Sequence, residues 1–423
     1  MGLASGRTRQ AAEADPAGDL PSTREAFMQS IYEELESQLR THGPAEAVQR
    51  LCDALRERKD YHGLFYALVL AKRIELGLPA IHVGSEQIPS EKIAPCEEAI
   101  REAARTVGRL FLEQHDLASA WPYFRMIGEH EPIVAAIERI EPTQDEAAQQ
   151  AIEIGFHEGV SPRRGFDLLL ARYGICSAIT AVGQAFNMPQ DVRDHCVKRL
   201  IRALHAELRE RLKAELSDRG EEVPEDISVA ELVRRLDWPP GEEFYHVDVS
   251  HLGAVTQYSL QLPPCEELEL ALELCIYGER LSPRFRYHTD PPFEDQYRDY
   301  AIYLKVLLGR DVEEGIEHFR AKAEAADPEN IGTYPAQVLV TLLDRIGRTR
   351  EAIAAYSRYL AQADQRHLSC PPLVEMCQRI GDYAPLVDVS LRRGDLVNYT
   401  AGLVQMHCNA VGRQTDSGTE KTA

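Results

Sequence analysis

Residues 101–132 read REAARTVGRLFLEQHDLASAWPYFRMIGEHEP, and their spacing decides how the rest of the chain is read. Apolar and small residues recur every three or four positions on both sides of His115-Asp116, the pattern of two amphipathic helices joined by a short turn. Small residues at Gly108 and Ala120 let two antiparallel helices approach closely. Aromatic residues at Phe111 and Phe124 fill the space above and below them, and Pro132 stops the second helix.

These positions form a register. Counted from Arg101, Gly108 is the eighth residue, Phe111 the eleventh, Ala120 the twentieth, Phe124 the twenty-fourth and Pro132 the thirty-second. The stretch resembles the tetratricopeptide repeat, a helical hairpin of about 34 residues with small, aromatic and proline positions at these places. It departs from the family pattern at the fourth and seventh places, where Ala104 and Val107 replace Trp and Leu. The same logic recurs in 336–360, with Leu339, Leu343, Gly347, Ala352 and Tyr356. Gly381 follows Gly347 by 34 residues, with Leu386 and Ser390 where Ala and an aromatic would stand; Gly309, Gly315 and Phe319 repeat the theme upstream. About half the chain carries the resemblance.

Working outward, Phe27, Ile31, Leu35 and Leu39 form a helical stripe that Gly43-Pro44 ends. A hairpin follows, closed by Gly77 and Pro79. Residues 145–186 suggest three short helices broken at Gly159-Val160-Ser161-Pro162 and at Gly174. One long helix spans 189–217 on a seam of Val197, Ile201, Leu204, Leu208, Leu212 and Leu216. The expected class is all-α, an α-solenoid of stacked antiparallel helix hairpins. Its expected divisions are a disordered lead (1–21), N-terminal repeats (22–140), an irregular helical middle (141–240), a non-repeat helical insert (241–300), C-terminal repeats (301–405) and a mobile tail (406–423).

Composition narrows the function classes. The 423 residues carry 47 Lys and Arg against 68 Asp and Glu, a formal charge of −21. Such a balance repels phosphate backbones and anionic lipid, so neither nucleic acid nor membrane is an expected partner. There is no signal-peptide pattern and no run of eighteen uncharged apolar residues, and the nine cysteines show no CxxC spacing. That fits reduced thiols in the cytoplasm, with Cys176 expected in the core. No phosphate-binding glycine loop follows a strand, and no cofactor is expected.

Two groups of residues are candidates for function. The tetratricopeptide resemblance implies that Arg105 and Arg109 line a concave groove, with Gln337 and Thr341 as their counterparts in the C-terminal unit. The family's carboxylate clamp has Lys then Asn at these places; here both are Arg. A basic pair could bind a partner's carboxylates. The second group is His246, Asp248, His251 and His288, imidazoles and a carboxylate of the kind that binds zinc or iron. It has no recognised ligand spacing, and Asp248 or Ser250 equally suits the cap of a following helix. The pairs His157-Glu158 and His195-Cys196 diverge by about a hundred degrees on a helix, so neither makes a chelate or a nucleophile–base pair alone. Arg, Tyr and Asp are dense across 284–303, which hints at an interface. The expectation is a scaffold or adaptor holding a peptide or partner domain; the alternative is a metal-dependent or acid–base enzyme centred on the histidines.

Overall fold

The computed structural model describes residues 23–81, 88–185, 187–236, 245–286, 289–327 and 331–419. The expected lead, 1–21, lies outside them. The described residues are all-helical, without a strand, and fall into two compact units, one up to Gly165 and one from Phe166.

The first unit contains α1 (Thr23–His42), α2 (Pro44–Glu57), α3 (Tyr61–Glu75), α4 (Ser90–Glu113), α5 (Leu117–Ile127), α6 (Glu131–Glu138) and α7 (Asp145–Ile152); α7 runs into a wider turn over Glu153–His157, and α8 (Pro162–Gln184) begins there. Helices adjacent in sequence pack on one another from α1 to α5. The α4–α5 pair is the hairpin of the opening stretch. Val107, Phe111, Ala120 and Phe124 are buried, and a Cβ on Gly108 would stand 2.6 Å from Phe124 Cε2, so only glycine allows this approach. Asp116 caps α5 by accepting from Ser119 N at 2.9 Å. Polar bonds tie this hairpin to α7 and to the residue that follows the wider turn. Leu117 N donates to Gln150 Oε1 (3.0 Å) and Arg125 to Glu158 (3.2 Å), each 33 residues on.

The unit boundary falls within α8. The start of α8 belongs with the first unit because Gly165 presses on the backbone of Phe156, where a Cβ would lie 2.5 Å from the amide nitrogen. Gly174 takes the expected break, at φ 76° and ψ −179°. Cys176, expected in the core, is exposed just beyond it, on the opposite side of the helix from the buried Ala178 and Val182. By length and composition α8 could cross a membrane, with a mean hydropathy of 1.3 in its most apolar window. The break at Gly174 interrupts its backbone ladder, which lipid would leave unsatisfied.

The second unit continues with α9 (Gln190–Asp218), α10 (Val229–Leu236), α11 (Val249–Ser259), α12 (Glu267–Arg280), α13 (Gln296–Leu307), α14 (Val312–Ala325), α15 (Tyr334–Arg345), α16 (Thr349–Tyr359), α17 (Leu373–Ile380), α18 (Ala384–Arg393) and α19 (Leu396–Thr419). The long helix agrees with its seam. Leu200, Ile201, Leu204, Leu208, Leu212 and Leu216 are all fully buried, and α10, α11 and α12 pack on α9. Helix α12 meets α13 at Gly278, where a Cβ would stand 2.5 and 2.7 Å from Cδ1 and Cδ2 of the buried Tyr297.

From α13 onward the unit settles into a period. The chain reverses between α15 and α16 at Gly347, whose φ of 80° favours glycine. Four polar links then join residues 35 apart. Arg348 donates to Glu313 (3.1 Å), Tyr359 Oη to Glu324 (3.0 Å), Arg379 to both oxygens of Asp344 (2.8 and 2.7 Å), and Arg392 to the Ser357 carbonyl (3.3 Å). A constant separation means that each hairpin sits on the last with the same offset. Arg345 and Arg393 repeat a further motif. Each guanidinium lies over a tyrosine ring, Tyr303 at 5.9 Å and Tyr356 at 5.5 Å, and donates to carbonyls just past a helix end, Leu260 and Leu262 for the first, Leu360 and Ala361 for the second. Helix α19 runs on to Thr419, through much of the stretch expected as a tail.

Candidate functional site

Within the second unit a cleft of about 980 Å³ opens between five parts of the chain. One wall is α15, whose Gln337, Val338, Thr341 and Arg345 share a face because they recur near the helical period. Tyr300 and Tyr303 of α13 adjoin it, with Phe293 from the segment leading into α13. The other walls are the first turns of α9 (Gln190, Asp194) and the end of α11 (Gln257, Leu260, Gln261); Thr289, Asp290, Tyr334 and Ser369 stand around the same opening.

Aromatic rings make the floor. Phe293 contacts Tyr300 edge-on at 5.0 Å, Tyr303 at 6.2 Å and Tyr334 at 6.5 Å between centroids. Phe293, Tyr300 and Tyr303 are nearly inaccessible, whereas Tyr334 is 47% exposed. Burial pushes all three phenols above their ordinary pKa, so these rings stay neutral at physiological pH.

The polar groups are fixed. Gln337 is buried, donates to Thr333 Oγ1 (3.0 Å) and accepts at Oε1 from Ser369 N (2.7 Å) and Ser369 Oγ (2.9 Å). One amide thus holds the segment before α17 to the start of α15. Thr341 donates to the Gln337 carbonyl at 2.8 Å. Gln190 donates to Asp194 at 2.7 Å, and Thr289 donates to the Phe293 carbonyl. Arg345 is committed to the carbonyls after α11.

The residues nominated from sequence meet different fates. Gln337 and Thr341 are brought together on the cleft wall. Arg105 and Arg109 lie on α4 of the first unit, where Arg105 is bridged to Glu129 (2.8 Å) and Glu98 (3.0 Å). Its side-chain bonds hold the carboxyls of both glutamates below their usual pKa, so this guanidinium is already paired. Arg109 is exposed.

The histidine group is dispersed into local tasks. His246 Nε2 bonds Glu215 and its Nδ1 lies 3.1 Å from Tyr277 Oη, while Asp248 caps α11 by accepting from Ser250 N (2.8 Å) and His251 N (3.4 Å). Burial raises the Glu215 carboxyl, and bonds and charge from His246 and Arg219 outweigh it to leave the pKa lowered; burial pushes the Tyr277 phenol up to about 12. His288 lies outside the described residues. Among the described residues no three His, Cys, Asp or Glu side chains are arranged to hold a metal. His195 faces Asp167 (3.1 Å), not Cys196, which is buried.

Sequence reasoning did not assemble Asp194, Gln257, Gln261 or Asp290 with α15, because up to five helices intervene along the chain. The density of Tyr and Asp across 284–303 was the one signal pointing there. Comparison of the chain with models of known protein families, with curated proteins and with solved structures found no match.

Proposed function

We propose that this chain is a tetratricopeptide-like α-solenoid that binds an extended peptide segment of a partner protein in the cleft of its second unit, in the cytoplasm. The observation that carries the reading is that α13 and α15, the first helices of two consecutive hairpins, supply adjoining walls of one cleft. In a hairpin array the first helices line the groove, and here they present tyrosine rings beside amide and hydroxyl groups. Such a surface pairs apolar contact with hydrogen bonding, which suits a polypeptide. The repeat assignment draws support from the constant 35-residue links, from glycine at the α15–α16 reversal and from the close α4–α5 approach at Gly108. The cytoplasmic placement draws support from nine free cysteines. Of the residues of the enzyme alternative, His246 bonds Glu215 and Tyr277 and Asp248 caps α11, while His288 lies outside the described residues.

A photoreactive phenylalanine placed at Tyr334 should crosslink a discrete partner in native cells. The same group at Tyr66, a 72% exposed residue of α3, serves as control. Labelling at Tyr66 with none at Tyr334 would remove the cleft from consideration.

A further inference from the structure

We infer that the segment taken by this cleft carries a positive charge, a Lys or Arg side chain set against the exposed ring of Tyr334. This rests on the reading of the cleft as a peptide site and adds its selectivity. Three observations carry it.

The first is the sign of the lining. Among the described residues around the cleft, Asp194 and Asp290 are carboxylates and Arg345 is the one cation. The Arg345 guanidinium is spent on the carbonyls of Leu260 and Leu262, so an acidic peptide would meet carboxylates with no cation free to pair with it. Burying an unpaired charge is strongly disfavoured, which selects against that partner.

The second is the chemistry of the neutral groups. The phenol of Tyr334, 47% exposed, and the amides of Gln257 and Gln261 offer oxygen acceptors, and the Tyr334 ring offers a π-face. An ammonium or guanidinium supplies only donors and is attracted to an aromatic face within about 6 Å. This unit already uses that arrangement twice on itself, for Arg345 over Tyr303 and Arg393 over Tyr356. The third is the field of the whole chain. A net charge of −21 draws cationic segments toward every face, and a concave site concentrates that attraction.

The test is a random peptide library selected on the purified full chain and counter-selected on Thr341→Trp, which fills the cleft without changing charge. Where Thr341→Trp fails to fold, Gln261→Trp, at an exposed lining position, takes its place. The cleft-dependent peptides should be richer in Lys and Arg than in Asp and Glu. The Asp194→Asn, Asp290→Asn double variant should weaken them about tenfold, with a smaller effect at high salt and little effect on analogues whose Lys and Arg are changed to Gln. Cleft-dependent peptides that are acidic or uncharged, or basic ones indifferent to the double variant, overturn this inference and leave the peptide site standing. Recovery of no peptide, or only of peptides that bind both tryptophan variants as well as wild type, overturns the site itself.

Discussion

The contact between Gly278 and Tyr297 allows a sharp test of the fold that carries the cleft. In Gly278→Ala the helix would gain about 1 kcal/mol of intrinsic propensity. Against that, the new methyl would stand 2.5 and 2.7 Å from ring carbons that sit next to the backbone of α13 rather than at the free end of a side chain. Carbon atoms prefer separations of about 3.5–4.0 Å, so α12 and α13 must part by roughly 1 Å or the ring must leave its rotamer. Overpacking of this kind costs about 3 kcal/mol at the upper end, leaving a net loss of about 2 kcal/mol. For a unit of this size that corresponds to a fall in Tm of about 4–8 °C, readable by calorimetry. Because α13 also carries Tyr300 and Tyr303, ligand affinity should fall with it. Tyr297→Leu vacates the space the methyl needs, so the double variant should be more stable than the sum of the single losses by about 1 kcal/mol or more. A higher Tm for Gly278→Ala, or strictly additive losses, would refute the close approach.

Two further outcomes follow from polar groups in the second unit. Asp344→Ala removes a carboxylate that is 6% exposed and bonded by Arg379 and Thr349, and should cost about 1–3 kcal/mol in chemical denaturation. Glu313→Ala breaks another link of the same 35-residue separation, but at a 72% exposed carboxylate, and should fall within experimental error of wild type; equal losses at both sites would contradict the assigned burial. Asp167 gives a pH signature: burial pushes its carboxyl up, and bonds and charge from His195 and Arg199 outweigh this and hold its pKa below the usual value. A depressed carboxyl contributes stability that is complete above the unfolded pKa of about 3.9 and is lost as pH falls through the folded one. Acidification below about pH 5 should therefore cost wild type more than Asp167→Asn, and parallel pH profiles would show that the ion pair is not formed.

The helices were legible where a single face decides them. The seam from Val197 to Leu216 fixed α9 to within a residue at each end, because one stripe packs against three neighbours and needs no long-range information. Gly108, Ala120 and Phe124 likewise announced a close hairpin, since steric exclusion by a ring is written in residue size. Charge partners were not legible. Arg105 looked available because its acceptor Glu129 lies 24 residues away, beyond any helical periodicity. The histidines looked like a ligand set because they are near in sequence, yet His246 reaches Glu215 and Tyr277, each 31 residues distant. The cleft was half visible: Gln337 and Thr341 follow from their place in a hairpin, but the walls from α9 and the end of α11 depend on how distant helices meet.

The four links at a separation of 35 also bear on how this stretch reaches its folded state. Every one of them joins a hairpin only to its immediate neighbour, so none requires a loop longer than one repeat to close. Loop entropy grows only logarithmically with length, and contacts of short range in sequence form early. Any hairpin from α13 to α18 can therefore serve as the starting point, with its neighbours adding in either direction at similar cost. The cleft walls are an exception. Arg345 must find Leu260 and Leu262 more than eighty residues upstream, which makes the closing of α11 against α15 a late event and the cleft the last part of the unit to be complete.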